Sequence, residues 1–411
     1  MPGRSLRDRG LSTDDMRVLF TCVSGQSHFY NTAPLAFAAR ALGHDVAYSS
    51  ALELAPIVEA AGLPLLPAGP GRLRLRAAMT RSASIAGELD LEDWSRSAAL
   101  FGWVAPTLRW RALSEVAQRF RPHAIVSEPL ELAGPLVALR LGIPHFTLSI
   151  GPYYADTMSQ LWAQAAPLYR EHAGVDITRG QALGCYIDVV PPELQTREGL
   201  KLADRIPAGC RLYHGEAGQA PGGEAERGPR PLALMTFGTV SNKALSGLWE
   251  SAVRLSRRGM DVLMTTGPNG WFDFSTVRGA ESAPGDGAIR AVDYAPLDRE
   301  LPRSAVVIHH GGSNTMRAAI GAEVPSLVIP QEAEQHRNAR WAAEHGLGLL
   351  LRPEAAEPSA VEGAVARLLA DPAFAERLGA ARAAFGAMPS AEAAVEEMAR
   401  RCETAPYQKR I

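Results

Sequence analysis

Short apolar runs alternate with longer runs of helical periodicity from Met16 onward. MRVLFTCV and HDVAYSS have the length of buried strands, while PLAFAARALG and ALELAPIVEAAG space their apolar residues as helices do. The alternation resumes with HAIVSEP, ELAGPLVALRLG and IPHFTLS. Strands that alternate with helices form parallel sheets covered by helices. The first half is therefore predicted to be a doubly wound α/β domain.

A second α/β pattern begins after a segment that can bury nothing. Residues 215–231, GEAGQAPGGEAERGPRP, are dense in Gly, Pro and charge, which is typical of a linker. Beyond it, PLALMTFG, MDVLMTTG, SAVVIHH and PSLVIPQ read as buried strands, and no close internal repeat relates the two halves. The predicted organisation is a flexible leader (1–15), an N-terminal domain (16–214), the linker (215–231), a C-terminal domain (232–390), and a C-terminal helix and tail (391–411) packing back on the N-terminal domain.

An aromatic-rich segment between Arg72 and Phe120 has a helical pattern and no strand signal. It carries Trp94, Phe101 and Trp103. Two interpretations stay open at this point. These rings belong to the core, or they form an apolar wall for a hydrophobic ligand.

Composition and charge narrow the class of protein. The chain has 411 residues, a formal net charge of -2 and 21% charged residues, which argues against disorder and against a nucleic-acid surface. The four cysteines are Cys22, Cys185, Cys210 and Cys402. Their wide spacing suggests neither a disulfide framework nor a zinc site. No run approaches the roughly 20 apolar residues of a membrane span, and the N-terminus lacks a signal-like apolar region, so a cytoplasmic location is expected.

A glycine-rich turn in the second half predicts an anion site. It follows the apolar strand SAVVI, opens a helix and reads His309-His310-Gly311-Gly312-Ser313-Asn314-Thr315. Its amides lie at the positive end of the helix, where phosphate binds. Adjacent strand residues point to opposite faces, so the two histidines are not expected to share a metal. His310, beside the glycines, is the candidate donor to a phosphate oxygen; a turn without a ligand is the alternative.

Three further loops follow strands of the same predicted sheet. Thr239 follows MTFG, Tyr294 follows AIRAVD, and Glu334 and Gln335 open a helix after PSLVIPQ. Open α/β sheets bind ligands at the carboxyl ends of their strands. An aromatic ring for a base, amides for phosphates and a carboxylate with an amide for sugar hydroxyls together indicate a nucleotide diphosphate that carries a sugar.

The second half resembles the donor domain of GT-B glycosyltransferases of family 1, in particular the bacterial enzymes that decorate macrolides and other antibiotics. HHGGSNT and PQEAEQ match the family pattern, with Asn314 in place of the usual Gly and Glu334 in place of the commoner Asp. FGTV and CYIDVVPPELQ also look like family segments. The resemblance covers nearly the whole chain after Met16. It implies an α/β protein of GT-B fold, with two Rossmann-like doubly wound domains facing across a cleft.

The first half is similar to the family's first strand, loop and helix through SGQSHFYNTAPLAFAARALGHDV. The family's catalytic base is a His on that loop, which corresponds to His28; Asn31 replaces the usual Pro. An imidazole with an ordinary pKa near ~6.5 is suited to taking a proton from a hydroxyl. Glu128, after the strand HAIV, corresponds to the acidic residue that holds the His, although a carboxylate capping the next helix is the alternative. A Gly-x-Gly-x-x-Gly motif is absent after the first strand, which argues against a dehydrogenase.

The resemblance implies an inverting glycosyltransferase without a metal or a cofactor beyond its nucleotide-sugar co-substrate. The expected donor is TDP-linked and carries a deoxysugar or hexose, and the acceptor is a hydroxyl of a hydrophobic natural-product aglycone. The catalytic residues are expected to be His28 and Glu128. The donor-binding residues are Thr239, Tyr294, His310, Gly311, Gly312, Ser313, Asn314, Thr315, Glu334 and Gln335, and the acceptor-binding residues are Trp94, Phe101 and Trp103.

Three alternatives remain open from the sequence. They are a UDP-hexose transferase acting on a lipid or pigment, a non-catalytic GT-B partner protein, and a GT-B sugar-nucleotide epimerase. The expected partners are a small-molecule donor and an aglycone, without nucleic acid or stable membrane insertion. The sequence leaves open whether the chain forms a homodimer or needs an auxiliary activator protein.

Overall fold

The computed structural model describes residues 15–75, 77–78, 94–177, 184–210, 212–213, 228–237, 245–267, 286–331 and 334–404. The chain divides into two compact units, which we describe one at a time. Unit 1 comprises residues 1–217 together with 387–411, and unit 2 comprises residues 218–386.

Unit 1 contains a parallel six-stranded sheet. Its strands are Arg17–Thr21 (β1), Asp45–Ser49 (β2), Ala124–Ser127 (β3), His145–Leu148 (β4), Cys185–Asp188 (β5) and Arg205–Pro207 (β6). Its helices are Gln26–Ala41 (α1), Ala55–Ala60 (α2), Ser95–Ala99 (α3), Ala105–Phe120 (α4), Ala133–Leu141 (α5), Ala155–Ala173 (α6) and Arg197–Leu200 (α7), and a π-helical turn, Leu100–Val104, joins α3 to α4.

The strand order in this sheet is β2-β1-β3-β4-β5-β6. Thr21, the last residue of β1, lies opposite Ser49 of β2 and Ser127 of β3. Small hydroxyl residues therefore end three neighbouring strands. The order reverses between β1 and β3, and such a reversal opens a crevice at the carboxyl edge of an α/β sheet.

Both faces of this sheet are covered by apolar residues. Leu19 and Ile125 are fully buried in one cluster with Leu113 of α4 and Val137 of α5. The neighbouring residue Phe20 stacks on Tyr48 at a ring-centroid distance of 5.6 Å. Consecutive strand residues point to opposite faces, so burial on both sides explains why the central residues of β1 and β3 are continuously apolar.

Unit 2 contains a second parallel six-stranded sheet. Its strands are Leu232–Thr236 (β7), Asp261–Thr265 (β8), Ile289–Val292 (β9), Ser304–His309 (β10), Ser326–Val328 (β11) and Gly348–Leu350 (β12). Its helices are Leu245–Arg257 (α8), Leu297–Glu300 (α9), Ser313–Gly321 (α10), Gln335–Glu344 (α11), Pro358–Ala370 (α12) and Pro372–Gly386 (α13).

The order in the second sheet is β12-β11-β10-β7-β8-β9, the arrangement of a dinucleotide-type Rossmann sheet, with its reversal between β7 and β10. Met235 and Ile308 pack under α8 and α12 on one face. Their neighbours Leu234 and Val307 pack with Ala319 of α10 on the other. Two doubly wound α/β units with helices on both faces of a parallel sheet constitute the GT-B fold.

A last helix, Ala391–Thr404 (α14), belongs to unit 1 and contacts α1 and β6. The Arg401 guanidinium reaches Asp204 and lies 2.8 Å from the Cys185 sulfur. Among the helices that the structure describes, none is long and apolar enough to cross a bilayer. The expected leader and most of the expected linker lie outside the described residues.

Candidate functional site

His28 lies at the reversal point of the first sheet. The sequence placed it on a loop, but α1 begins at Gln26, so His28 lies in the first helical turn. Its ring crosses Gly25, where an added Cβ would lie 2.8 Å from the His28 Cδ2 atom. Its side chain is 18% exposed. The imidazole is thus fixed by the helix yet accessible to a substrate.

The Glu128 carboxylate contacts the imidazole of His28. The His28 Nδ1 atom lies 3.2 Å from Oε1 of the fully buried Glu128 carboxylate. The Val23 amide donates to Oε1 at 3.2 Å, and the Leu130 amide donates to Oε2 at 2.7 Å. Burial by itself raises the pKa of Glu128, but the nearby His28 and these amide donors outweigh burial and lower it.

An ionised Glu128 favours a proton on Nδ1 of His28. Nε2 then carries the lone pair, which is the arrangement that a general base requires. The strand order explains why these two residues meet. His28 follows β1 and Glu128 follows β3, and these strands are neighbours at the reversal point.

The predicted acceptor aromatics divide into three environments. Phe101, in the π-helical turn, has its ring centroid 6.3 Å from that of His28. Trp94 is 2% exposed and packs in the interior, which fits the core interpretation of that ring. Trp103 is 39% exposed. Of the three, Phe101 is therefore the ring that the structure brings to His28.

Gly102 permits the π-helical turn to approach α6. An added Cβ there would lie 2.7 Å from the Leu161 carbonyl oxygen, closer than a real Cβ contact. Single π-helical turns are frequent at functional sites. This turn is what places Phe101 beside His28.

The glycine-rich turn of unit 2, which the sequence predicts to bind an anion, lies at the second reversal point. His309 ends β10 opposite Thr236, the last residue of β7. Gly311 has a left-handed φ of 93°, and an added Cβ would lie 3.0 Å from the Gln335 carbonyl oxygen. Only glycine combines that φ with so close an approach of α11. The Asn338 amide donates to the Gly311 carbonyl oxygen at 2.8 Å and so fixes the turn.

The first turn of α10 presents its amides from Gly312 onward. Ser313 begins the helix, its hydroxyl lies 3.2 Å from the Asn338 amide nitrogen, and Asn314 and Thr315 follow within the same turn. An added Cβ at Gly312 would lie 2.6 Å from Nε2 of His310. The imidazole of His310 thus borders the helix terminus, where backbone N–H groups and the helix dipole favour an anion.

Both histidines of this turn are neutral at neutral pH. Burial, followed by the effect of His310, lowers the pKa of His309 to about 3. Burial lowers the pKa of His310 to about 4, although a hydrogen bond with the Thr236 backbone opposes it. The Gly311 amide donates to Nδ1 of His309 at 3.1 Å, so the ring proton of His309 lies on Nε2.

Sequence reasoning chose His310 as the phosphate donor and passed over His309. The side chain of His309 is fully buried, but its tautomer makes Nε2 an N–H donor as well. The strand alternation that separated the two histidines could not show which ring nitrogen carries the proton. The available signal was Gly311, two residues after His309, because its amide donates to Nδ1 of His309 and so fixes the tautomer of that ring.

The remaining predicted donor residues have diverse placements. Tyr294 follows β9 and is 50% exposed. Glu334 is the N-cap residue of α11, and the Gln335 Oε1 atom accepts a hydrogen bond from the Gln331 amide at 2.9 Å. Thr239 lies outside the described residues. Within the described ranges, no three His, Cys, Asp or Glu side chains gather as metal ligands.

Arg109 and Glu131 form a buried pair that sequence reasoning missed. Nε of Arg109 lies 3.1 Å from Oε2 of Glu131, and both side chains are at most 5% exposed. Arginine is abundant along the chain, so one buried copy gave no signal. The signal that the sequence did offer is Glu131, a second acidic residue three positions after Glu128 and just before an apolar helix.

Two family models match this chain. The N-terminal domain of the "Erythromycin biosynthesis protein CIII-like" family matches residues 37–207, and its C-terminal domain matches residues 273–404. Together they span both units.

Curated proteins and solved structures are similar over nearly the full length. The elloramycin glycosyltransferase ElmGT of Streptomyces olivaceus is 30% identical over 88% of this chain and 91% of that protein. The 10-deoxymethynolide desosaminyltransferase of Streptomyces venezuelae is 26% identical over 88% and 91%. The crystal structure of the glycosyltransferase VinC in complex with dTDP has a TM-score of 0.72 at 25% identity, covering 95% of this chain and 100% of VinC.

Proposed function

Because this chain belongs to the antibiotic glycosyltransferases of GT-B family 1 and is thus an enzyme that transfers a sugar, we propose the following reaction. A sugar passes, with inversion, from a TDP-linked donor to a hydroxyl of a hydrophobic natural-product aglycone. The observation that carries this proposal is the His28–Glu128 pair, with Nδ1 3.2 Å from Oε1. The pair leaves Nε2 of His28 as the proton acceptor.

In this reaction, Nε2 of His28 takes the proton of the acceptor hydroxyl. The acceptor oxygen forms a bond to the anomeric carbon while the bond from that carbon to the diphosphate oxygen breaks, so the configuration inverts. Glu128 stabilises the imidazolium that results. Phe101 supplies an apolar contact for the aglycone beside the base.

The proposed donor site is the carboxyl edge of the second sheet. The α10 amides with Ser313 and Thr315, together with the imidazole of His310, offer N–H and O–H donors to the departing diphosphate. Neutral N–H and O–H donors at a helix N-terminus stabilise the negative charge of a diphosphate, so we propose that no divalent ion is needed. The dTDP bound to VinC supports thymidine as the nucleoside.

A substitution at His28 tests the base. His28→Ala is expected to lower turnover by roughly 10²- to 10⁴-fold, the usual range for general-base catalysis, while TDP affinity stays at the wild-type value. His172→Ala, in the same unit at the end of α6, is the matched control. Near-normal turnover in His28→Ala would falsify the assignment.

A donor comparison tests the nucleotide and the metal independence. TDP-, UDP- and GDP-sugars are offered to the enzyme with a panel of polyketide aglycones, with and without EDTA. We expect TDP-sugars to be used best and turnover to persist in EDTA. Loss of turnover in EDTA that magnesium or manganese restores would contradict the proposed donor site.

A further inference from the structure

Arg109 contacts residues at or just after the carboxyl ends of three neighbouring strands, β1, β2 and β3. The side chain is 4% exposed. One terminal guanidinium nitrogen donates to the Thr21 hydroxyl at 2.8 Å and to the Ser49 carbonyl oxygen at 2.6 Å. Its Nε atom lies 3.1 Å from Oε2 of Glu131. Thr21 ends β1, just before the loop that leads into α1 and His28, and Glu131 lies in the loop that carries Glu128.

Glu131 is a second buried carboxylate in the same loop as Glu128. Its Oε1 atom accepts from the amides of Ala133 and Gly134 at 2.9 and 3.1 Å, which fixes the start of α5. The Glu131 amide in turn donates to the Glu128 carbonyl oxygen at 3.0 Å. Burial raises the pKa of Glu131, the positive charge of Arg109 opposes this, and Glu128 adds to the rise. The two carboxylates therefore act on each other electrostatically.

The backbone leaves room for the Arg109 stem. Gly69 has a left-handed φ of 91°, and a Cβ there would lie 2.8 Å from Cγ of Arg109. Arg109 projects from the first turns of α4, directly after the π-helical turn that carries Phe101. One buried side chain is thus connected to both loops of the reversal point and to the helix behind them.

We propose that Arg109 and Glu131 form a positioning pair for His28 and Glu128. The guanidinium sets the separation of the two loops through Thr21 and Glu131. Its positive charge also offsets the negative charge of the Glu131 carboxylate. The buried charged groups near His28 then have a net charge equal to the single negative charge of Glu128. This inference rests on the proposed function, since it assigns the pair a purpose in preparing the base.

Other titratable groups also face this region. They are Cys22 after β1, Tyr48 on β2, Glu53 beside Ser24, and His145 on β4, which contacts Ser127. All four are retained in every variant below. Differences among the variants therefore arise at Arg109 and Glu131.

The pKa of His28, measured by NMR on the histidine-labelled enzyme without substrates, tests the charge balance. Glu131→Gln leaves Arg109 positive without its carboxylate, and is expected to lower the pKa of His28 by about 0.5 to 1, the scale of a unit charge acting through several ångströms of protein. Arg109→Met/Glu131→Gln removes both charges and is expected to restore the wild-type value. The exposed Glu171→Gln is the control, and His28→Gln identifies the signal.

Turnover tests the positioning. Arg109→Lys keeps the charge but lacks the guanidinium, whose Nε faces Glu131 while one terminal nitrogen reaches Thr21. We therefore expect kcat to fall about tenfold while the pKa of His28 and the donor KM stay unchanged. The double variant, which has no lone buried charge, is also expected to lose kcat about tenfold. These two variants keep the inference testable if Glu131→Gln does not fold.

Two results would overturn the inference. One is a His28 pKa in Glu131→Gln that equals that of the Glu171→Gln control. The other is full kcat in both Arg109→Lys and the double variant. Full turnover by His28→Ala would instead overturn the proposed function and, with it, the catalytic purpose of the pair.

Discussion

Gly311 is a residue at which the backbone of the proposed donor site is tightly constrained. Its φ of 93° is strained for any other residue, and an added Cβ would lie 3.0 Å from the Gln335 carbonyl oxygen, so the start of α11 would have to shift. Gly311→Ala is expected to destabilise the fold by about 1 to 2 kcal/mol, the cost of a left-handed non-glycine residue. TDP binding should weaken too, because Gly311 positions the first turn of α10, whose amides are proposed to bind the diphosphate.

Gly321 provides a matched control at the end of α10. An added Cβ there meets nothing within 4 Å, so Gly321→Ala should leave stability unchanged or raise it by about 0.5 kcal/mol. Urea unfolding and calorimetric titration with TDP measure both variants. Equal stability in Gly311→Ala and Gly321→Ala would show that the turn is less constrained than its geometry implies.

At the scale of elements, the turn from β10 to α10 makes stability depend on pH. His309 and His310 have folded pKa values of about 3 and 4, below their unfolded value of 6.5. Between those values the unfolded chain binds more protons, so stability falls as the pH falls from about 6.5 toward 4. Each histidine contributes up to about 1.4 kcal/mol per pH unit.

A double substitution isolates this contribution. His309→Gln/His310→Gln should flatten the pH dependence of the free energy of unfolding between pH 6.5 and 4, as followed by urea titration. The same substitution at His345, the half-buried C-cap residue of α11, is the control. An unchanged slope in the double variant would mean that other groups cause the acid sensitivity.

The strands were the elements most predictable from sequence. Most of them are buried on both faces, so their apolar runs are continuous and easily recognised, as in β7 and β10. The exceptions are β6 and β9, which carry exposed residues. The start of α1 was misplaced because its N-cap residue is Gly25, which has no side chain to form a capping hydrogen bond. The sequence there therefore carries no capping signal. The π-helical turn at Leu100–Val104 could not be predicted, because it depends on a tertiary contact between Gly102 and α6.

The candidate sites were predictable as far as single residues face a strand end. His28, Glu128 and the HHGG turn each follow a recognisable strand, and within each unit the parallel sheet brings the ends of its strands to one edge. The pairing of Arg109 with Glu131 depends instead on how α4 lies across β1, β2 and the loop after β3. Such long-range placement has no local signature in the sequence.

At the scale of the whole molecule, we expect the two units to read different substrates. Glu334→Ala and Gln335→Ala should weaken donor binding and leave aglycone binding intact, since a lost buried hydrogen bond costs about 1 to 3 kcal/mol. Gln335→Ala also removes the acceptor of the Gln331 amide. Phe101→Ala should do the reverse.

Calorimetric titration of donor and aglycone against these variants tests the division. Glu344→Ala, at the exposed far end of α11, controls for substitution on the same helix. If Glu334→Ala abolished aglycone binding while donor affinity held, the division of labour would be wrong.

The membership of α14 in unit 1 bears on how the molecule is made. Residues 387–404 leave the ribosome after all of unit 2, yet they complete the surface of α1 and β6. A nascent chain can therefore finish unit 2 while unit 1 still lacks its last helix. Deletion of α14 would expose the apolar residues that it covers to chaperones and to aggregation. A late stop codon would therefore impair the folding of unit 1, which contains the proposed base His28.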